Sequence, residues 1–198
     1  MIGPINQELK SPELVDLPVS AWGQLFKTEK VKYIQFVDTK KIGTEDLLFQ
    51  IMTYGQCSSF YYIDRPFYHY RRSDYGTLTT KYMPEKFERW QRLYCIIEKI
   101  IADRNYDGVY REAFNHRVCY SMIGLGLNEI LSNEGCWAQS KSIKRILDSD
   151  RYAKAYKEID LKILPIHWKV FFGLCKYRQT FALVMMLHII EFLRKKVF

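Results

Sequence analysis

Pro84-Glu85-Lys86-Phe87-Glu88-Arg89-Trp90-Gln91-Arg92-Leu93-Tyr94-Cys95-Ile96-Ile97-Glu98-Lys99-Ile100-Ile101-Ala102 decides the larger part of this fold. Phe87, Trp90, Tyr94, Ile97 and Ile101 recur at steps of three and four, which gathers them on one side of a helix with 3.6 residues per turn. Pro84 suits the first helical turn, where its missing N–H is no loss. The stretch predicts an amphipathic helix from about Pro84 to Ala102.

The chain beyond it continues in the same manner. Asn105-Tyr106-Asp107-Gly108 breaks the pattern, and a second helix follows that turns Phe114, Val118, Met122, Leu125 and Ile130 inward until Ser132-Asn133-Glu134-Gly135 ends it. A third, short helix is expected over Ala138 to Leu147, and a fourth from near Tyr152. No internal repeat and no low-complexity tract interrupts the chain.

Upstream of Met83-Pro84 the pattern is mixed, so the chain divides into region 1–82 and a helical region 83–198. A short helix is expected over Ala21 to Phe26, a loop through Asp38 to Gly43, and a helix from Glu45 to about Tyr54. Phe60 to Ile63 and Phe67 to Arg71, with Asp64-Arg65-Pro66 between them, have the composition and turn chemistry of a short strand pair. Its edges would need a partner sheet. The expected class is therefore α+β and mostly helical.

The 198 residues are 48% hydrophobic, enough for a sizeable core. Aromatics at 16% fit both sugar-handling surfaces and ordinary packing, and so decide nothing. The net charge of +8 points to anionic partners. Nucleic acid is not expected among them, for no Cys/His finger, RNP-like motif or Gly-x-x-Gly clamp occurs. Cys57, Cys95, Cys119, Cys136 and Cys175 are scattered and odd in number, which predicts reduced, mostly buried thiols in a cytoplasmic protein. His69, His116, His167 and His188 lie outside ligand spacing, so no metal site is expected. Met1-Ile2-Gly3-Pro4-Ile5-Asn6 lacks the pattern of a secretory signal, which argues against export.

Charge concentrates at the far end. Leu161 to Phe198 holds Lys162, Lys169, Lys176, Arg178, Arg194, Lys195 and Lys196 against Glu191 alone, a net +6. Its longest apolar run, Phe181 to Leu187, falls well short of the roughly 20 residues a spanning helix needs. Basic residues beside apolar, aromatic-bearing helices suit the anionic inner face of a membrane, as a peripheral partner. A hairpin packed on its own domain with a solvated lysine face is the other reading.

Gly43-Thr44-Glu45-Asp46-Leu47-Leu48-Phe49 is the motif with chemistry in it. Two acids after Gly-Thr and before an apolar run read as a helix's first turn, where unpaired N–H groups and the macrodipole favour negative charge. Helix capping on a solvated face would account for them equally.

Four blocks in order carry a resemblance: Val19-Ser20-Ala21-Trp22-Gly23-Gln24-Leu25-Phe26-Lys27; Glu45-Asp46-Leu47-Leu48-Phe49; Tyr61-Tyr62-Ile63-Asp64-Arg65-Pro66-Phe67-Tyr68-His69-Tyr70-Arg71; and Gly76-Thr77-Leu78-Thr79. Together, over roughly the first 80 residues, they resemble the second half of glycosyltransferase family 2 catalytic domains, of the kind that build bacterial surface polysaccharide. The resemblance implies that region 1–82 is the C-terminal, acceptor-side half of a GT-A α/β domain followed by a helical bundle-like extension. It further implies an inverting transferase with a polysaccharide or lipid-linked sugar acceptor as partner.

In that family the acidic pair supplies the general base, and Asp46 is the matching position. Glu45 would point about 100° away on the helix and bind acceptor hydroxyls or cap the helix. His69 and Arg71, at i and i+2 of a strand, would share a side and reach diphosphate or acceptor. Trp22 is the candidate acceptor platform, against a core tryptophan, and Lys27 the candidate contact for an anionic group, against a solvated lysine. Tyr68 and Tyr70 are expected to pack inward. No Asp-x-Asp occurs before Trp22, so the nucleotide-sugar and its divalent cation are expected only with a donor half that this chain lacks. Alone, the chain would be inactive. The competing class is a non-catalytic interaction or membrane-docking module that keeps a transferase remnant.

Overall fold

The structure, a computed structural model, describes residues 1–15, 19–69 and 81–197, and over these it is mostly helical. Two 3-10 turns, Asn6–Lys10 and Pro12–Leu14, open the chain. Short helices α1 (Thr28–Val31) and α2 (Thr39–Ile42) lead into α3 (Glu45–Tyr54). Then follow α4 (Lys86–Asp103), α5 (Gly108–Ile130), α6 (Cys136–Asp148), α7 (Asp150–Glu158), α8 (Ile166–Lys176) and α9 (Thr180–Val197).

Helix α5 is the axis of the molecule. Asp107 caps it, accepting the Val109 N–H at 3.1 Å. Phe114, Val118, Met122, Leu125 and Ile130 are buried as their spacing requires, and so are residues on its other sides, because α4, α6, α7 and α9 pack around it. The polar groups that this encloses are satisfied. Tyr156 donates to the Cys119 carbonyl at 2.8 Å, and Tyr152 shares a 2.6 Å hydrogen bond with Ser121 Oγ, which in turn donates to the Val118 carbonyl at 2.7 Å. Burial pushes both phenols well above their ordinary range and lifts the Cys175 thiol to about 12, so all stay protonated.

Residues 1–15 form a strap over α5. Arg117 Nε donates to the Ile2 carbonyl at 2.6 Å, His116 Nδ1 to Pro4 at 3.1 Å and the Tyr120 hydroxyl to Leu9 at 2.8 Å. Gly3 is required here, since a Cβ would fall 1.7 Å from the Ala113 carbonyl oxygen. Phe26 and Phe36 reach α3 by packing on Phe49, edge-on at 5.6 Å and stacked at 4.3 Å. Ile2, Leu9, Ile42, Leu47 and Ile51 thus join the same core as Leu93, Val118, Ile143 and Leu187. The C-terminal hairpin packs on its own domain, with Phe171, Phe172, Leu183, Val184 and Leu187 fully buried.

Several expectations are corrected. Among the described residues no strand forms: 60–69 is irregular and exposed, and its backbone bonds are local, Arg65 N–H to Ile63 at 2.9 Å and Phe67 N–H to Arg65 at 3.1 Å. With no neighbouring strand to bond, β-prone side chains do not make a ladder. The helix expected over Ala21 to Phe26 is a turn, with Gly23 at φ +72°. The loop expected through Asp38 to Gly43 contains α2, which Asp38 caps by accepting the Lys40 N–H at 2.8 Å. Tyr68 is half exposed, and of the cysteines only Cys119 and Cys175 are buried. Tyr70, Arg71 and Gly76 to Thr79 lie outside the described residues. Among the described residues no helix is long and apolar enough to cross a membrane.

Candidate functional site

Gly43 sets up the acidic pair. It ends α2 at φ +82°, a conformation that glycine adopts without cost, and the Trp90 ring stands 2.8 Å from where a Cβ would be. Thr44 is extended at φ −149°, and α3 begins at Glu45. Both acids therefore sit in the first turn. Glu45 is engaged locally, its Oε2 accepting the Thr39 hydroxyl at 2.5 Å across the α2–α3 corner.

Asp46 is placed differently. It is half-buried and has no hydrogen bond or ion pair among the described residues. It forms part of the wall of a cavity of about 390 Å³, between the strap, the first turn of α3, α4 and α5. Trp90, Leu93 and Tyr94 of α4 and Arg117, Tyr120 and Ser121 of α5 line the opposite sides, with Ser20 and Glu13 at the edge. The mixture of aromatic rings and a few polar groups is the lining that small-molecule sites use.

The polar walls are held rigidly. The Arg117 guanidinium, itself buried, also donates to the Met1 and Val15 carbonyls at 3.0 and 3.4 Å, so its charge is fixed in place by the strap. Burial raises the Tyr120 phenol above its ordinary range, and it remains the donor to Leu9. Ser20 contributes its backbone: its carbonyl accepts from Gln24 Nε2 at 2.8 Å and Gln50 Nε2 at 2.9 Å, and Gln24 Oε1 accepts the Tyr54 hydroxyl at 3.1 Å. This network ties the Trp22 turn to α3.

Of the candidate site residues from the sequence that are described, namely Trp22, Lys27, Glu45, Asp46 and His69, Asp46 alone lines this cavity. Trp22 is 48% exposed and stacks on Tyr68 with ring centroids 4.7 Å apart, which joins the first and third sequence blocks in space. His69 is exposed beside Tyr68, and Lys27 is exposed at the start of α1. Arg71 is outside the described residues. Trp90, Tyr94, Arg117, Tyr120 and Ser121 had not been read as site residues. The signal available was Arg117, a charge between the inward residues Phe114 and Val118 of a helix that the core surrounds.

One Asp-x-Asp does occur, Asp148-Ser149-Asp150, which the sequence reading passed over. It lies at the α6–α7 junction, where Asp148 pairs with Lys144 at 2.9 Å and Arg178 at 3.5 Å. The Lys144 hydrogen bond, with Arg178 assisting, holds the Asp148 carboxyl below its ordinary range. Its structural role is the helix junction. Among the described residues no group of three or more His, Cys, Asp and Glu side chains could hold a metal ion. No known family model matches the chain, and neither a curated protein nor a solved structure matches it.

Proposed function

We propose that the chain is the acceptor-side portion of an inverting glycosyltransferase, with Asp46 as general base and the adjoining cavity as the seat of the sugar acceptor. The observation that carries this reading is Asp46, in the first turn of a helix and without a hydrogen bond or ion pair among the described residues, in the wall of a cavity lined by aromatic residues. The ordered sequence blocks supply the reaction class. An acceptor hydroxyl held against Asp46 gives up its proton as the oxygen attacks the anomeric carbon, while the nucleoside diphosphate leaves on the far side. Trp90, Tyr94 and Tyr120 give the cavity a largely aromatic lining, the kind of wall against which the apolar C–H side of a sugar packs. Nucleotide-sugar and divalent cation belong to a donor half outside this chain.

Sugar transfer with a donor half on the same chain or supplied separately is the test. Asp46→Asn is expected to lower turnover by roughly two to four orders of magnitude, the usual loss on removing a general base. Full turnover by that variant would rule out the assignment. The chain alone is expected neither to transfer sugar nor to give heat with nucleotide sugars and divalent metal in a calorimeter.

A further inference from the structure

We propose that the outward side of α9 lies on an anionic bilayer surface, its apolar row in the boundary between headgroups and acyl chains and its terminal cations on lipid phosphates. The proposal stands on the C-terminal helices and does not depend on the transferase reading. Helix α9 is apolar on two opposite sides. Leu183, Val184 and Leu187 face the core and are fully buried. At 100° per residue, Phe181, Met185, Ile189 and Phe192 fall on the other side with Leu193 at its margin. These five are 50, 47, 58, 57 and 53% exposed. A surface helix normally puts polar side chains there, and a contiguous apolar row marks an interaction surface.

The row has aromatic and cationic ends. Trp137, 69% exposed at the start of α6, tilts against Phe181 with ring centroids 6.4 Å apart. About 22 Å further along the helix axis, Lys196 holds its ammonium 4.5 Å over the Phe192 ring. Glu191, the one acid of α9, falls on the core-facing side between Val184 and Leu187 and pairs with Arg194 at 3.2 Å and Lys195 at 3.6 Å, so the outward row itself carries no negative charge.

Charge selects the occupant. The last turns of α9 hold Arg194, Lys195 and Lys196 against Glu191 alone, a net +2, so a partner of opposite sign complements these cations. Anionic lipid neutralises them. Since no described helix can cross a bilayer, α9 would lie in the plane of the interface, where a helix with an apolar side and flanking bases binds.

Co-sedimentation of the full chain with vesicles of phosphatidylglycerol and phosphatidylcholine in equal parts, and of phosphatidylcholine alone, tests this. The wild type is expected to pellet with the anionic vesicles, and less as salt is added. Lys195→Gln with Lys196→Gln should weaken that binding by roughly tenfold to thirtyfold, at about 1 kcal/mol for each basic residue near the surface. Ile189→Gln with Phe192→Gln should weaken it too, and because both positions are exposed the thermal unfolding of this variant reports that the fold is intact. Equal pelleting with both vesicles, or undiminished binding by either variant, would overturn the proposal. So would a dimer in lipid-free solution that the Ile189/Phe192 variant dissolves while vesicle binding stays unchanged.

Discussion

Gly43 shows why the acidic motif starts where it does. A side chain at φ +82° is strained, and one placed 2.8 Å from Trp90 Cδ1 must also move a ring that packs on the core. Gly43→Ala is expected to destabilise the protein by about 1–3 kcal/mol, the range for backbone strain of this kind. Denaturant midpoints measure it. Glu45 and Asp46 were legible as a first helical turn because that inference needs only local chemistry. Their different surroundings were not, since Thr39 reaches Glu45 only after α2 has formed, and Asp46 gains its cavity only when α4 and α5 arrive from far along the chain. Arg117 was missed for the same reason: the carbonyls that make a buried guanidinium tolerable belong to a strap more than a hundred residues earlier.

Helices α4 and α5 could be read from their apolar rows, because a helix satisfies its own backbone and needs from its surroundings only a surface to bury. Strands lack that independence. Residues 60–63 and 67–69 have the right composition, yet without a neighbouring backbone they settle into local turns. The short α2 escaped notice because four residues hold no row to read, and its real signal was Asp38 as cap. The expected helix over Ala21 to Phe26 gave way to Gly23 and to the hydrogen bonds that hold Ser20 and Gln24 on α3.

Helix α5 carries one local conflict that can be measured. Glu129 is buried one residue from its C-terminus, where the helix dipole also disfavours negative charge. Burial raises its carboxyl pKa, against the Asn128 hydrogen bond that lowers it. A carboxyl with a raised folded pKa weakens the fold as pH climbs from the unfolded value, about 4.3, through the folded one. Glu129→Gln should therefore be more stable than the wild type at neutral pH, with the difference vanishing below about pH 4. Thermal unfolding at the two pH values checks both the sign and the window.

One core serves the entire described molecule, so the motif-bearing residues 19–54 and the C-terminal helices depend on each other. Helix α2 packs on α4, Arg92 Nε donates to the Lys41 carbonyl at 2.6 Å, and Trp168 Nε1 donates to Glu13 in the strap at 2.9 Å. These links position the cavity beside Asp46. They also mean that deleting 161–198 would remove fully buried phenylalanines and leucines from the core, so function in the tail has to be probed by exposed substitutions.

Calorimetric titration of the chain with acceptor oligosaccharides, on the wild type and Asp46→Ala, with Tyr33→Ala as an exposed control, bears on all of this at once. The wild type should bind an acceptor. Losing a hydrogen bond to a charged group costs about 1.5–3 kcal/mol, so Asp46→Ala should bind roughly ten to a hundred times more weakly while Tyr33→Ala binds as the wild type does. Binding that Asp46→Ala leaves unchanged would separate the cavity from the acceptor and contradict the account.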